Sequence, residues 1–166
     1  MSGNAVVRIV AALMTVAMLL TLSACGAQQD LNFYDAETVM INGRSVDDLP
    51  IQLNRENNAH IPLIGLLQAL GFQIRWKSEN TATVSIKEKE YIISVKDETV
   101  FRSDRTDNFN YLTPAPGNDY YFCEAAENDI IVDDDTARVF LGEAGVRCSV
   151  TVDYKKMTVS IETPDP

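Results

Sequence analysis

One histidine, three cysteines and a run of three aspartates are the residues of this 166-residue chain with the most chemistry in them. His60 is the sole imidazole, so a Ser/His/Asp hydrolase would have to be built on it, and no Gly-x-Ser-x-Gly elbow accompanies it. Its position just before an apolar helical pattern suits a polar residue near a helix start as well as a base or a ligand. Asp133-Asp134-Asp135 offers hard oxygen ligands of the kind calcium takes, yet the run lacks the alternation and the glycine of an EF-hand loop. Negative charge at a helix N-terminus, where the macrodipole is positive, accounts for it. Glu88 and Glu90 read as a solvated strand face, because a glycosidase pair needs a folded separation of about 5–9 Å. No phosphate-cradling glycine loop is present. The aromatic cluster Phe109, Tyr111, Tyr120, Tyr121 and Phe122 flanks a Pro/Gly-rich loop at 114–119. Phe109, Tyr111, Tyr120 and Tyr121 are therefore a candidate binding surface, with core packing of a short strand as the alternative.

The elements that must hold these residues centre on the stretch 61–86. Leu63, Leu66, Leu67 and Leu70 fall at i, i+3, i+4 and i+7, one face of a helix that covers a core. Pro62 suits the first helical turn, and Gly71 suits a left-handed C-terminal cap. After Gly71 the period turns to alternation. Ile74 and Trp76 point one way and Gln73, Arg75 and Lys77 the other, before a Ser78-Glu79-Asn80 turn and the β-prone run 81–86.

The unit recurs. A shift of 74 residues carries Leu63, Leu66, Leu67, Leu70 and Gly71 onto Ala137, Phe140, Leu141, Ala144 and Gly145, and Ile74 onto Cys148. After one inserted residue, Thr83-Val84-Ser85-Ile86 returns as Thr158-Val159-Ser160-Ile161. This is an internal duplication, each half supplying one helix and several strands. Further strands are expected at 38–41 and 44–46 around Asn42-Gly43, and at 91–95, 99–101, 120–123 and 130–132, with the second helix opening near Asp133. Neither half has enough apolar surface to cover its helix alone, so a cut between Thr99 and Asn110 should leave two unfolded fragments.

Residues 1–24 carry one charge, Arg8, followed by an apolar run at 9–22. That length after an N-terminal positive charge has the build of a secretory signal, outside the fold. The run ends in Leu22-Ser23-Ala24-Cys25, which resembles the lipobox of bacterial lipoproteins. The resemblance implies a diacylglyceryl group on the Cys25 thiol and a mature N-terminus there. A general signal peptide cut at small residues, with Cys25 an ordinary thiol, is the other reading. Removing 1–24 takes away one of 14 basic residues and none of 24 acids, which moves the net charge from −10 to −11. A chain so acidic is not expected to partner nucleic acid or adhere directly to anionic lipid, so the expected membrane contact is through lipid on Cys25. Residues 25–37 read as a short tether. In an oxidising compartment Cys123 and Cys148 can pair, whereas Cys148 at the Ile74 position can equally serve as a small core residue.

From Val39 to Ile161 the motifs resemble the copper amine oxidase N-terminal-like domain, or stalk domain, of secreted and lipid-anchored bacterial proteins. They are Ile41-Asn42-Gly43, Ile61-Pro62-Leu63-Ile64, Ala69-Leu70-Gly71, Ile74-Arg75-Trp76-Lys77 and Thr81-Ala82-Thr83-Val84-Ser85-Ile86. Ile64 and Lys77 depart from the family's Arg and Asp, while Arg138 holds the Arg position in the second half. The resemblance implies an appendage separate from any copper centre. Copper sites want imidazole or soft sulfur, and one histidine does not complete one. Asn110-Tyr111 is similar to the cofactor-forming pair of the oxidases, but Leu112 stands where an acid is expected.

These readings give a single α+β domain over 38–161, two related halves each with a helix packed on antiparallel strands, and a tail at 162–166. The functional expectation is a non-catalytic, lipid-anchored extracytoplasmic domain without cofactor or metal that binds an envelope protein or a cell-wall component, or scaffolds another factor at the cell envelope. The competing expectations are a small hydrolase using carboxylates and a metal-binding lipoprotein.

Overall fold

The computed structural model describes residues 32–106, 109–113 and 121–164. The signal segment, Cys25, Tyr120 and the loop at 114–119 lie outside them.

Asn42 and Gly43, both at positive φ, turn β2 (Thr38–Ile41) back into β3 (Arg44–Ser45), as an Asn-Gly pair between apolar runs requires. Ahead of them is β1 (Tyr34–Asp35), and beyond them β4 (Gln52–Leu53) and β5 (Ala59–Pro62) lead into α1 (Leu63–Ala69). Pro62 is the N-cap residue of α1, one position ahead of the first turn expected from the sequence. Next come β6 (Ile74–Ser78), β7 (Thr81–Ile86), β8 (Lys89–Ser94) and β9 (Thr99–Arg102). The chain ends with β10 (Cys123–Ala125), β11 (Ile130–Asp133), α2 (Asp134–Glu143), β12 (Ser149–Asp153), a 3-10 turn at Tyr154–Lys156, and β13 (Thr158–Glu162).

The expected α+β class is overturned. Over the described residues the fold is mostly β, 42% strand against 16% helix, with two short helices and three sheets. Residues 52–53 and 59–62, for which no strand is expected from the sequence, are extended, and with β1 and the expected strand at β11 they form a five-stranded sheet of order β1-β4-β5-β11-β10. The other two sheets, each four-stranded, are β12-β13-β2-β3 and β6-β7-β8-β9.

Two repeats of hairpin, short strand, inner strand, helix and hairpin run from β2 to β7 and from β8 to β13. Their inner strands β5 and β11 pair antiparallel at the centre, with Val132 opposite Ile61. The halves do not fold as separate packets of helix on strands. The closing hairpin of the first repeat, β6–β7, pairs with the opening hairpin of the second, β8–β9, and β12–β13 pairs with β2–β3. The first junction is antiparallel because the tight Lys87-Glu88 turn, both residues at positive φ, joins its strands directly. The second has no such connection and is parallel, Val159 beside Val39. A cut between Thr99 and Asn110 would part β8–β9 from the rest of its repeat.

The helix ends match residue for residue. The Phe72 and Gly71 amides donate to Leu67 O and Gln68 O, each at 2.9 Å; those of Val146 and Gly145 donate to Leu141 O at 2.8 Å and Gly142 O at 2.9 Å. Both are Schellman ends, with Gly71 and Gly145 at φ +89° and +85°. Above them Leu63, Leu66, Leu67, Ala137, Phe140 and Leu141 are fully buried in a core shared with Val84, Ile86, Val159 and Ile161. Burying each of the larger side chains contributes about 1.5–3 kcal/mol. Trp76 departs from the pattern. It follows the expected alternation beside Ala82 but lies on an outer strand and is 42% exposed.

Candidate functional site

The five-stranded sheet brings the polar residues singled out by the sequence close together. His60 on β5 faces Asp133 on β11, and its imidazole is sandwiched between two phenylalanine rings. Phe33 lies at 3.6 Å and 15° on one side and Phe122 at 3.8 Å and 17° on the other, both stacked. Burial lowers the His60 pKa to about 4, against the opposing pull of the Asp133 carboxylate. At neutral pH the imidazole is uncharged and both of its faces are covered. The stack joins the entry of the domain to the strand before β11, which is a structural duty.

The acidic run is engaged within the fold, one residue as a helix cap, one on a strand amide and one in an ion pair. Asp133 is 1% exposed; its Oδ1 accepts from Thr136 N at 2.8 Å and its Oδ2 from Thr136 Oγ1 at 2.9 Å and Phe122 N at 2.8 Å. It is the N-cap of α2, as acids at this helix start suggest. Asp134 Oδ1 reaches the other repeat, accepting from Ala59 N at 2.9 Å, and Asp135 pairs with Arg138 at 2.6 Å. Asp129 is the residue that sequence reasoning missed. Its two oxygens accept from Ile64 N at 2.7 Å and Gly65 N at 2.8 Å, capping α1 from 65 and 64 residues away. Desolvation raises the carboxyls of Asp129 and Asp134 above their usual range despite these backbone donors. A Cβ at Gly65 would meet Leu49 Cδ1 at 2.9 Å but Asp129 Oδ2 only at 3.5 Å, so the glycine makes room for Leu49 and not for the carboxylate. Among the described residues no group of three His, Cys, Asp or Glu side chains is placed to hold a metal ion.

The aromatic cluster divides. Tyr111 is 4% exposed and packs edge-on against Tyr91 at 5.4 Å and Phe140 at 6.3 Å, so it belongs to the core and not to a binding surface. Its neighbour Asn110 acts as a strand surrogate along β9, its Oδ1 accepting from Val100 N at 2.9 Å and Leu112 N at 3.0 Å. That structural use accounts for the Asn110-Tyr111 pair. Phe109 and Tyr121 are exposed. The Tyr121 hydroxyl donates to Leu112 O at 2.8 Å, and burial beside Cys123 pushes its pKa up to about 12. Tyr120 lies outside the described residues.

The thiols of Cys123 and Cys148 are both free, so the bond the sequence allowed is not made. Cys148 instead packs partly buried against the core in the manner of Ile74, the alternative the repeat suggested. Burial pushes its pKa up to about 11, which leaves it a thiol and a weak nucleophile at neutral pH. It lines an open cleft of about 400 Å³ with Arg138, Arg147 and Ser149.

No family model, curated protein or solved structure matches the chain. The geometry therefore stands on its own. Among the described residues, His60 is stacked between rings, Asp129 caps a helix and Asp134 holds a strand amide, while exposed aromatic character sits on Tyr34, Trp76, Phe109 and Tyr121.

Proposed function

We propose that the protein is a non-catalytic, lipid-anchored extracytoplasmic domain that binds an envelope protein or cell-wall component. The observation that carries the reading is Leu22-Ser23-Ala24-Cys25 at the end of an apolar run preceded by one positive charge. Attachment then comes from acyl chains on Cys25, since an acidic chain offers no polybasic substitute. His60 is engaged in stacking, Asp129 and Asp133 in capping and Asp134 in holding a strand amide, which supports a scaffold more than a reaction centre. The Asn42-Gly43 hairpin and the Gly71 helix stop are in keeping with the stalk-domain resemblance.

Mass spectrometry of the mature N-terminal peptide is the test. A diacylglyceryl mass on Cys25 supports the reading, and an unmodified Cys25 or another first residue removes the anchor. Cys25→Ser should abolish detergent partitioning while leaving the melting of the domain unchanged, because the apolar core pattern of the sequence begins near Val39.

A further inference from the structure

The two outer strands left by the hairpin exchange differ in chemistry. β6 reads Ile-Arg-Trp-Lys-Ser and β12 reads Ser-Val-Thr-Val-Asp; each is the outermost strand of its four-stranded sheet. On the opposite edge of the β6 sheet, β9 is covered by residues 110–112, with Tyr111 N donating to Val100 O at 2.8 Å. No described segment covers β6 in that way. All of it beyond Ile74 is exposed.

Register shows which backbone groups are open. The Val95 amide donates to Asn80 O, so the even-numbered residues of β7 bond towards β8 and Thr83 bonds towards Arg75. Ile74 and Trp76 must then turn their N–H and C=O groups to the open edge, ahead of a bulge that leaves Lys77 without a partner on β7. The side chains there are also unengaged: among the described residues, neither Arg75 nor Lys77 makes an ion pair or a side-chain hydrogen bond. Two such cations around the only tryptophan of a chain of net charge −10 form a local basic strand on an acidic protein.

We propose that β6 is a docking edge for an acidic, extended polypeptide segment, which adds to the β6-β7-β8-β9 sheet as a fifth strand. Main-chain pairing with Ile74 and Trp76 supplies affinity, and carboxylates opposite Arg75 and Lys77 select the partner. Basic residues on an edge strand also block indiscriminate pairing. A second copy of this chain in antiparallel register would set Arg75 and Lys77 against their own duplicates, so the charge that rejects self-association favours an acidic strand. Backbone groups aimed outward distinguish this occupant from an anionic polymer that reads charge alone. The proposal deepens the partner-binding reading and rests on it for the existence of a partner, but it does not depend on the anchor.

The full chain in detergent is titrated with a synthetic six-residue peptide of alternating glutamate and valine, and with its lysine counterpart. Trp76, as the sole tryptophan, reports binding directly by fluorescence. The glutamate peptide should saturate the signal and slow amide exchange at Ile74 and Trp76, while the lysine peptide should do neither. The double substitution Arg75→Glu with Lys77→Glu should weaken the glutamate peptide at least tenfold and confer binding of the lysine peptide. Both positions are exposed, and an unchanged melting temperature checks that the variant folds. The proposal is overturned by equal binding of both peptides, by binding that survives the charge reversal, by saturation without amide protection, by a stable dimer in ultracentrifugation, or by no response up to about 1 mM peptide. The mass of the N-terminal peptide decides the anchor separately, so the two failures are distinguishable.

Discussion

The two helices end alike and begin differently. At their C-termini the same amides and carbonyls close the same Schellman turn 74 residues apart. At its N-terminus α2 is capped by Asp133, the residue immediately before it, whereas α1 follows a proline with no side-chain cap and borrows Asp129 from the other repeat. Asp134 returns to the first repeat as well, through Ala59 N. The second half thus holds its own helix locally and the first half's helix from outside. A helix end that needs a remote carboxylate ties the two repeats into one folding unit, because its orphan amides go unsatisfied until the partner strand is in place.

The sharpest way to break that comparison is to remove each cap. Asp133→Ala strips two amides and a hydroxyl of a buried acceptor and should cost about 3 kcal/mol in denaturant unfolding. Asp129→Ala should cost about 2 kcal/mol, since loss of the amide bonds is partly offset by relief of a desolvated charge. Hydrogen exchange separates the two. Asp133→Ala should expose α2 amides, and Asp129→Ala should expose those of α1 although the substitution lies in the second repeat. Unchanged α1 protection in Asp129→Ala would sink the idea of a borrowed cap.

A second test uses pH. His60 has a folded pKa of about 4 against an ordinary 6.5, so the unfolded chain takes the proton first as pH falls. The stability is fully present above pH 6.5 and is lost between 6.5 and 4, up to about 3 kcal/mol. Asp129 and Asp134 act in the opposite sense. With folded values raised, the native state protonates first, and mild acid offsets part of the loss. His60→Phe, which keeps the stack, should flatten the decline between pH 7 and 4.5; an unaltered slope would remove His60 as its source.

The smallest expected effect tests the similarity. Gly71→Ala and Gly145→Ala each place a side chain at positive φ and should cost about 1 kcal/mol, agreeing within a few tenths. A difference above about 1 kcal/mol would show that the matched ends are not energetic equivalents.

Local features were legible because local physics makes them. The leucine face of α1, both glycine stops, the Asn42-Gly43 turn and the repeated Thr-Val-Ser-Ile strand are set by periodicity and backbone preference within a few residues. The mostly-β class was not legible, since it depends on which hairpin meets which. Nothing within β13 announces that it lies parallel to β2. Asp129 escaped notice for the same reason: a cap is recognised by its place before a helix, and this one lies 65 residues from the amide it holds. Among the candidate binding aromatics, Tyr111 takes the core-packing alternative, because a residue that flanks a loop can still turn its ring to the core. The exposure of Trp76 was not legible either, since alternation assigns a face but not a distance from the sheet margin.

The parallel pairing of β13 with β2 has a mechanical meaning. The chain enters β2 at Thr38 and leaves β13 near Glu162, at opposite ends of the paired strands, and Asn42 grips Thr163 beyond them by three hydrogen bonds of 2.8–3.1 Å. Tension between the two termini would therefore run along the strands in shear, loading the whole ladder at once and not opening it bond by bond. Resistance of that kind is set by the barrier to unfolding, so force would read the kinetics of this one junction and not the equilibrium of the whole.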